Sequence, residues 1–293
     1  MPTLKEIKGR IGSVKSTLKI TSAMKLVSSA KLRKAQNAIA AMRPYEEALQ
    51  EMLAMTGAGN VPQNGTSPSK MAVFAGNVPE NGTSPAVIVA IASNSSLCGG
   101  FNANAIAKVR SVRKRGDVVY SIGRKMADAM ARDGFPSPVD YSSLAEHPAY
   151  GPAAELVEKL AEDFHEGRIG SVTLVYNHFV STAKQVPVVE ELLSEIPDQV
   201  GDDDCSQATP DVIIEPSARE LRAKLLPKTL KLKLYAAILD SAAAEHAART
   251  IAMQTATDNA EDLLAELTLQ YNKGRQQKIT SEILDLAGGQ ITD

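Results

Sequence analysis

The chain has 293 residues, of which 44% are hydrophobic and 23% charged, and its formal net charge is −2, as in an ordinary soluble globular protein of one or two domains. No stretch reaches the roughly 18 consecutive apolar residues that a membrane-spanning helix needs, and the start of the sequence lacks the apolar core of a signal peptide. We therefore expect a protein made and kept in the cytoplasm, with any membrane association provided by partners.

Residues 1–55 predict one long helix, because apolar or small residues recur in alternating steps of three and four, which is a heptad seam. Its members are Leu4, Ile7, Ile11, Val14, Leu18, Thr21, Lys25, Ser28, Leu32, Ala35, Ile39 and Met42. Where the seam becomes polar, at Thr21, Lys25 and Ser28, we expect Met24 and Val27 to take over the apolar stripe. Such a helix measures about 80 Å and needs a partner helix along its length.

A duplicated loop follows at residues 56–85. The segment GNVPQNGTSP at 59–68 recurs as GNVPENGTSP at 76–85. Both copies are rich in Gly, Pro, Asn and Ser, a composition typical of surface loops. Two short copies are too few for a repeat architecture, and no function is assigned to them.

Residues 86–216 alternate between strand and helix patterns, which indicates a small α/β domain. The apolar run Ala86–Ala92 predicts a buried parallel strand, and 179–193 predicts an antiparallel pair at the sheet edge. The other predicted strands are 117–122, 171–176 and 212–214, and the predicted helices are 102–112, 124–132 and 150–165.

Residues 217–293 predict a second long helix, which pairs with the first as an antiparallel coiled coil. Its predicted seam is unusually small, so that two backbones can approach closely: Ala237, Ser241, Ala244, Ala248, Ile251 and Thr255. Pro227 is expected to kink or restart this helix, because proline cannot donate the backbone hydrogen bond. Gly288 and Gly289 are expected to end it.

The N-terminal helix carries only positive charge over most of its length. No acidic residue lies between Glu6 and Glu46, whereas that interval contains nine basic residues, among them Lys25, Lys31 and Arg33. A solvated face is the ordinary explanation of a charge run, but this one extends over about eleven helical turns. We expect it to face an acidic protein surface. Nucleic acid is the alternative, although the segment has one aromatic residue and no recognised binding module.

The turn after the first central strand, SNSSLCGGFN at 93–102, has glycines that could expose backbone N–H groups to a phosphate. It matches neither the dinucleotide-binding nor the P-loop pattern and contains no lysine, so a tight structural turn is favoured. The cysteines Cys98 and Cys205 form no zinc or redox pattern, and the four histidines have no metal-ligand spacing. No set of nucleophile, base and orienting group is evident, so we expect neither catalysis nor a cofactor.

Three stretches resemble the gamma subunits of F-type ATP synthases. They are KEIKGRIGSVKSTLKITSAMKLVSSAKLRKAQ at 5–36, LCGGFNANA at 97–105, and RTIAMQTATDNAEDLL with LQYNKGRQQKITSEI at 249–264 and 269–283. The turn departs from the family pattern, because Asn94-Ser95-Ser96 stands where Asp-Arg-Gly is usual. The resemblance implies a long antiparallel coiled coil of N- and C-terminal helices plus a central Rossmann-like α/β domain.

The same resemblance implies a non-catalytic rotor shaft. Its coiled coil would stand inside a hexamer of alpha and beta subunits, its central domain on a membrane ring of c subunits, with the epsilon subunit alongside. That complex lies on the cytoplasmic face of the inner membrane, and ATP and magnesium bind to the partners. Residues 283–291 would reach into the apolar sleeve of the ring. The partner contacts carried over are Met24 and Lys25, facing an acidic beta-subunit loop, and a polar catch of Arg249, Gln276 and Thr280 between the C-terminal helix and the ring.

Two other functions stay open on the residues alone. One is a Rossmann-like nucleotide-binding enzyme with a helical oligomerisation arm, which the glycine turn would serve. The other is a basic coiled-coil protein that binds nucleic acid. Tight ATP binding by the isolated chain would favour the first, and salt-sensitive binding to DNA or RNA would favour the second.

Overall fold

A computed structural model of the chain describes residues 3–56, 85–194, 215 and 217–289. The chain divides into two units, the first formed by Met1–Ser29 with Arg249–Asp293 and the second by Ala30–Ala248. The helices are α1 (Leu4–Met55), α2 (Phe101–Val112), α3 (Arg124–Arg132), α4 (Ser142–Glu146), α5 (Tyr150–His165) and α6 (Ala218–Gly289), and the strands are β1 (Ala86–Ile91), β2 (Val118–Ile122), β3 (Ser171–Phe179) and β4 (Gln185–Ser194).

The second unit contains a four-stranded sheet in the order β2-β1-β3-β4. β1 is parallel to both β2 and β3, and β4 is antiparallel to β3. The predicted buried parallel strand is therefore confirmed at β1. The antiparallel pair predicted at the sheet edge is also present. It is formed by β3 and β4, because β3 extends to Phe179.

Both faces of the sheet are covered, which explains why β1 is a continuous apolar run. Val87, Val89 and Ile91 point to one face, where they pack with residues of α5 and the first part of α6. Ile88 and Ala90 point to the other face, where they pack with residues of α2 and α3. Successive residues of a strand alternate between the two faces of the sheet. A strand that is buried on both faces is therefore apolar at every position.

Helices α1 and α6 also pack together within the second unit. Near the end of α1, Leu49 and Leu53 join Leu225, Leu226 and Leu232 of α6 in one apolar cluster. Closer to its middle, α1 places Leu32 and Ala35 against the alanines at 243 and 247. Larger residue numbers on α1 thus meet smaller ones on α6, as in an antiparallel pair.

The first unit shows the same direction of pairing. The Thr257 hydroxyl donates to Thr21 Oγ1 at 3.0 Å, and a Cβ added to Gly274 would lie 3.0 Å from Leu4 Cδ2. Moving 17 residues back along α1, from Thr21 to Leu4, therefore corresponds to moving 17 residues forward along α6. The predicted antiparallel coiled coil and the mixed α/β class are confirmed.

Several sequence predictions need correction. α6 runs through Pro227 as one helix, so the predicted restart is wrong: Leu225, Leu226 and Leu230 are buried around the proline, and their packing offsets its cost of about 3 kcal/mol. α4, with five residues, was not expected. The duplicated loop up to Ser84, the predicted strand 212–214 and Cys205 lie outside the described residues. Over the part of the chain that is described, no helix is both long and apolar enough to cross a membrane.

Candidate functional site

Every member of the predicted α1 seam is buried or half-buried, and its polar section is not replaced by apolar neighbours. Thr21 and Ser28 are 8% and 3% exposed, whereas Val27, which was expected to take over, is 56% exposed. Thr21 and Thr257 satisfy each other with a hydrogen bond, so their hydroxyls are buried without an unpaired group. Small polar side chains in the seam allow the two helices of the first unit to approach closely.

The corresponding correction applies to α6. Ile251 and Thr255 were predicted in its seam, but both are exposed. In the first unit the least exposed positions of α6 beyond residue 252 recur every three or four residues: Met253, Thr257, Ala260, Leu264, Leu267, Tyr271 and Gly274. In the first unit the seam thus lies two residues later than predicted, whereas the predicted members Ala237, Ser241, Ala244 and Ala248 of the second unit are buried.

Three large apolar side chains of α1 lie outside the seam and are exposed. We call the surface formed by Ile20, Leu26 and Val27 the outer face of α1. They are 60%, 69% and 56% exposed, and Ile20 and Val27 lie seven residues apart on the same side of the helix. Large exposed apolar side chains close together, bordered here by exposed Lys19, are typical of surfaces that contact another protein. The sequence signal was present, because these residues break the heptad pattern.

The far end of α6 has a second exposed apolar set. Ile279, Ile283 and Leu284 are all exposed, and every described side chain from Arg275 to Leu284 is exposed as well. This part of the helix has no packing partner among the described residues of the first unit. An amphipathic helix end that buries nothing in its own chain is suited to contact with another.

The predicted contact residues do not form one cluster. Met24 and Lys25 are half-buried on α1, while Lys31 and Arg33 are exposed on the same helix. Arg249 is buried on α6, with 8% of its surface exposed. Gln276 and Thr280 are exposed, and the Thr280 hydroxyl donates to the Gln276 carbonyl at 2.9 Å. Because a helix rises 1.5 Å per residue, Arg249 lies about 40 Å from Gln276 along α6.

The turn between β1 and α2 uses its polar groups internally. The Ser93 N–H donates to Asn102 Oδ1 at 3.1 Å, and the Ser93 hydroxyl donates to the Ser95 carbonyl at 2.6 Å. Asn102 Nδ2 donates to the buried Cys98 sulfur at 3.2 Å. Leu97 and Gly99 adopt left-handed backbone angles, with φ of 67° and 57°. The glycine here serves a tight turn, as the sequence favoured.

The neighbouring turn after β2 is joined to this one. The Arg124 N–H, at the start of α3, donates to Asn94 Oδ1 at 2.9 Å, so a side chain already occupies that helix end. Gly123, with φ of 106°, permits the close approach: a Cβ at this position would lie 2.1 Å from the Ala92 carbonyl oxygen. The Asn94 side chain therefore takes one of the backbone N–H groups that the start of α3 could otherwise offer to an anion.

The crevice where doubly wound sheets bind ligands is filled by the chain itself. Such ligands bind outside the carboxyl ends of the strands, where the chain reverses direction across the sheet, which here is between β1 and β3. Cys98 and Phe101, after β1, pack there against Ala244 and Ala248 of α6, with Phe179 at the end of β3. Asn177 Nδ2 donates to the Phe101 carbonyl at 3.0 Å and is buried. Side chains of α6 thus fill the position at which other doubly wound sheets bind a nucleotide.

An ionisable cluster lines a cleft of about 520 Å³ in the second unit, between α1, the end of the sheet and α6. Tyr176 Oη donates to Glu190 Oε1 at 3.0 Å, and Lys233 Nζ lies 3.6 Å from Glu190 Oε2. His178 Nδ1 lies 2.6 Å from Asp240 Oδ2. Burial raises the pKa of the Tyr176 phenol and of the Asp240 carboxyl, although His178 opposes the second shift.

Glu46 of α1 faces the same cleft. Burial raises the pKa of its carboxyl above the ordinary value of 4.5, because the attraction of Arg43 compensates only part of the desolvation. Gln50 Nε2 donates a hydrogen bond to Glu46 Oε1 at 3.4 Å. The ionised form of Glu46 is therefore disfavoured in the folded protein.

Replacing Glu46 by Gln should stabilise the protein at neutral pH. A carboxyl with a raised folded-state pKa supports folding below its unfolded-state pKa and loses that support as pH rises through the folded-state value. Glu46→Gln removes the charge and keeps an oxygen that accepts from Gln50. Urea unfolding should show a higher midpoint than wild type at pH 7 and a smaller difference near pH 4. Glu47→Gln, at an exposed neighbouring position, is the control, and a lower midpoint for Glu46→Gln at pH 7 would contradict the prediction.

Within the described ranges, no group of three or more His, Cys, Asp or Glu side chains is placed to hold a metal ion. Antiparallel helix pairs in both units, an α/β domain in the second unit and exposed apolar helix faces define a class of mixed helical and α/β proteins suited to contact with other proteins.

Comparison with known proteins identifies the family. Residues 3–291 match the protein family described as ATP synthase. Over 99% of its length the chain is 45% identical to the whole ATP synthase gamma chain of Phocaeicola vulgatus, and 40% identical to 98% of that of Flavobacterium johnsoniae. The chain belongs to the ATP synthase gamma chain family, as its sequence motifs predict.

Solved structures show the same fold at low identity. One is the central stalk/c-ring structure of the Tetrahymena thermophila mitochondrial ATP synthase, with a TM-score of 0.56 and 21% identity over 81% of this chain and 99% of that one. Another is the rotor of the Euglena gracilis mitochondrial ATP synthase, with a TM-score of 0.65 and 17% identity over 94% of this chain and 98% of that one. They confirm the predicted fold class.

Proposed function

We propose that this chain is the central rotor shaft of a proton-translocating F-type ATP synthase, which couples proton flow through a membrane ring to ATP synthesis in an alpha/beta hexamer. The observation that carries the proposal is the identity of 45% across 99% of the chain and the full length of a gamma chain. The chain itself is a non-catalytic subunit, and ATP and magnesium bind to its partners.

The mechanism needs a shaft that presents different surfaces to successive catalytic sites. The outer face of α1 is apolar with basic neighbours, whereas the exposed residues of α6 in the first unit include Asp258, Glu261 and Asp262, so the two helices present different surfaces. When such a shaft turns inside the hexamer, each site meets a different surface and changes its conformational equilibrium according to the contacts it gains. Energy is transmitted by these differential contacts.

The remaining partners follow from the same family membership. The Tetrahymena match is a central stalk/c-ring structure and the Euglena match is a rotor, which supports a ring of c subunits as the base of the shaft. We include the epsilon subunit beside the central domain. The complex would place this chain at the cytoplasmic face of the inner membrane as a peripheral protein, and the relatives named above are bacterial.

The test is reconstitution of proton pumping. The vesicles are inside-out membranes from a bacterium that lacks its gamma subunit gene. They should regain ATP-driven acidification when this chain is expressed in that bacterium together with the alpha, beta, epsilon and c subunits of the organism from which this chain comes. The alpha and beta subunits should co-purify with it. Micromolar ATP binding by the isolated chain, measured by calorimetry, would instead support the nucleotide-binding enzyme.

We further propose that Arg249, Gln276 and Thr280 of α6 contribute to a polar catch between the C-terminal helix and the ring. Gln276 and Thr280 are exposed and support no packing within the first unit, so both are available to a partner. Replacing both by Ala should lower ATP-driven pumping without lowering helicity. Thr268→Ala is the matched control, because Thr268 is an exposed threonine earlier on α6 whose hydroxyl also donates to its own helix. Wild-type pumping in the double variant would remove these residues from the catch.

A further inference from the structure

The carboxyl end of β3 is the place where the sheet meets both long helices in the second unit. The half-buried ring of Phe179 packs against two apolar clusters at once. One cluster contains residues of α1 and α6, and the other contains residues of the glycine turn, α2 and α6. Their members are Leu32, Ala35, Ala243 and Ala247 in the first, and Cys98, Phe101, Ala244 and Ala248 in the second.

Asp240 of α6 holds the backbone at the same point. Its Oδ1 accepts the Phe179 N–H at 3.1 Å, and its Oδ2 lies 2.6 Å from His178 Nδ1. Asp240 precedes Ala243 and Ala244 by three and four residues, so it lies on the same side of the helix one turn earlier. Two successive residues of β3 are therefore attached to one turn of α6.

The alanines of α6 explain why such an attachment is needed. Ala243, Ala244 and Ala247 are fully buried, and their methyl groups give the helix a nearly smooth surface over this stretch. A smooth surface allows close packing but offers few protruding side chains that would resist rotation of the helix about its axis. A large ring between two rows of alanines, together with directional hydrogen bonds to a carboxylate, supplies that resistance.

We propose that Phe179 and Asp240 form the joint through which the α/β domain holds α6 against torque. The inference rests on the proposed rotor function, since only a shaft under load needs such a joint. Both are positioning residues: they keep the helix in a fixed orientation with respect to the sheet and take no part in chemistry. Sequence reasoning missed them, because their role depends on a strand end and a helix that lie about 60 residues apart in the chain.

The experiment uses the assembled enzyme in inside-out vesicles and measures protons pumped per ATP hydrolysed, at equal amounts of co-purified beta subunit. Phe179→Leu keeps much of the apolar volume, and Phe179→Ala removes the ring. We expect the coupling ratio to fall in the order Phe, Leu, Ala, with Ala at least about twofold below wild type, because the alanine leaves a cavity between the clusters. Asp240→Asn, which still accepts the Phe179 N–H but loses its charge towards His178, should give an intermediate ratio.

Val180→Ala is the matched control, because Val180 is the next residue, is exposed and belongs to neither cluster. It should pump with the wild-type ratio. A wild-type ratio in Phe179→Leu and Asp240→Asn would overturn the joint, even if Phe179→Ala failed to assemble. Absence of pumping by the wild-type chain itself would instead contradict the proposed function, so the two failures are distinguishable.

Discussion

Deleting Arg249–Asp293 should remove helical structure from residues 4–29 as well as from the deleted segment. In the first unit these two segments are each other's packing partners, and Ile7, Thr21 and Ser28 of α1 are buried there. Most helical stability in proteins comes from packing of an apolar face, and a stretch of this length is only marginally helical alone in water. Far-UV circular dichroism of the truncated chain should therefore show a loss greater than the deleted residues account for.

The sharpest control is a shorter truncation within the same helix. Removing residues 276–293 takes away only side chains that are exposed in the described part of α6, and it leaves the seam as far as Gly274 in place. Its loss of helix signal should equal that of the deleted residues. If the long truncation also lost no more than its own residues, α1 would be stable by itself and the pairing would contribute nothing to it.

Local pattern was sufficient to predict much of the α/β domain. Helices 124–132 and 150–165 have the predicted bounds in the structure, because each has one apolar face and is ended by polar residues or glycine. β1 was evident from its uninterrupted apolar run. β3 was predicted three residues too short, because its polar end is buried by long-range contacts: Asn177 Nδ2 donates to the Phe101 carbonyl at the start of α2.

The coiled-coil seam shows what local pattern cannot supply. Apolar content favoured Val27 and Ile251 as seam residues, but both are exposed, while Thr21 and Thr257 are buried. The cost of burying a hydroxyl disappears when it meets another across the helix pair, and that partner lies 236 residues away in the chain. Register between distant helices therefore decided the outcome.

The sequence could not predict that α6 fills the crevice at the ends of β1 and β3 either. Which strand ends lie together depends on the order β2-β1-β3-β4, and the approach of Ala244 to the glycine turn depends on where α6 crosses the domain. The glycine turn alone left a nucleotide-binding enzyme open. Family membership decides for the gamma chain, and α6 packs against the turn in the crevice where such an enzyme would bind its ligand.

Reversing the charge of Lys25, Lys31 and Arg33 to Glu should weaken assembly with alpha and beta subunits. Lys31 and Arg33 are exposed on α1, Lys25 is half-buried, and no acidic residue between Glu6 and Glu46 compensates them. Exposed ion pairs contribute only about 0.2–1 kcal/mol each, which suits a rotor that must exchange contacts as it turns. Losing three such pairs and adding repulsion amounts to about 2 kcal/mol, or roughly a 30-fold weaker affinity.

The salt dependence identifies the cause of the defect. The screening length falls from about 10 Å at 0.1 M salt to about 3 Å at 1 M, so repulsion between the reversed charges and an acidic surface should shrink as salt is added. A pull-down of alpha and beta subunits by the triple variant should therefore improve at high salt. Reversal of Lys114, Arg115 and Arg132, which are exposed on the α/β domain, makes the same change in net charge and should leave the pull-down unaffected.

If the basic helix bound nucleic acid instead, the wild-type chain would behave differently. A chain that used its basic helix on DNA would bind duplex DNA strongly as wild type, and its affinity would fall steeply with salt because condensed counterions are released on binding. A rotor has no such partner, so a gel-shift assay of the wild-type chain should show no stable complex at physiological salt. Normal assembly of the triple variant at both low and high salt would show that Lys25, Lys31 and Arg33 do not face the hexamer, because reversed charges beside an acidic surface cannot remain without effect when they are unscreened.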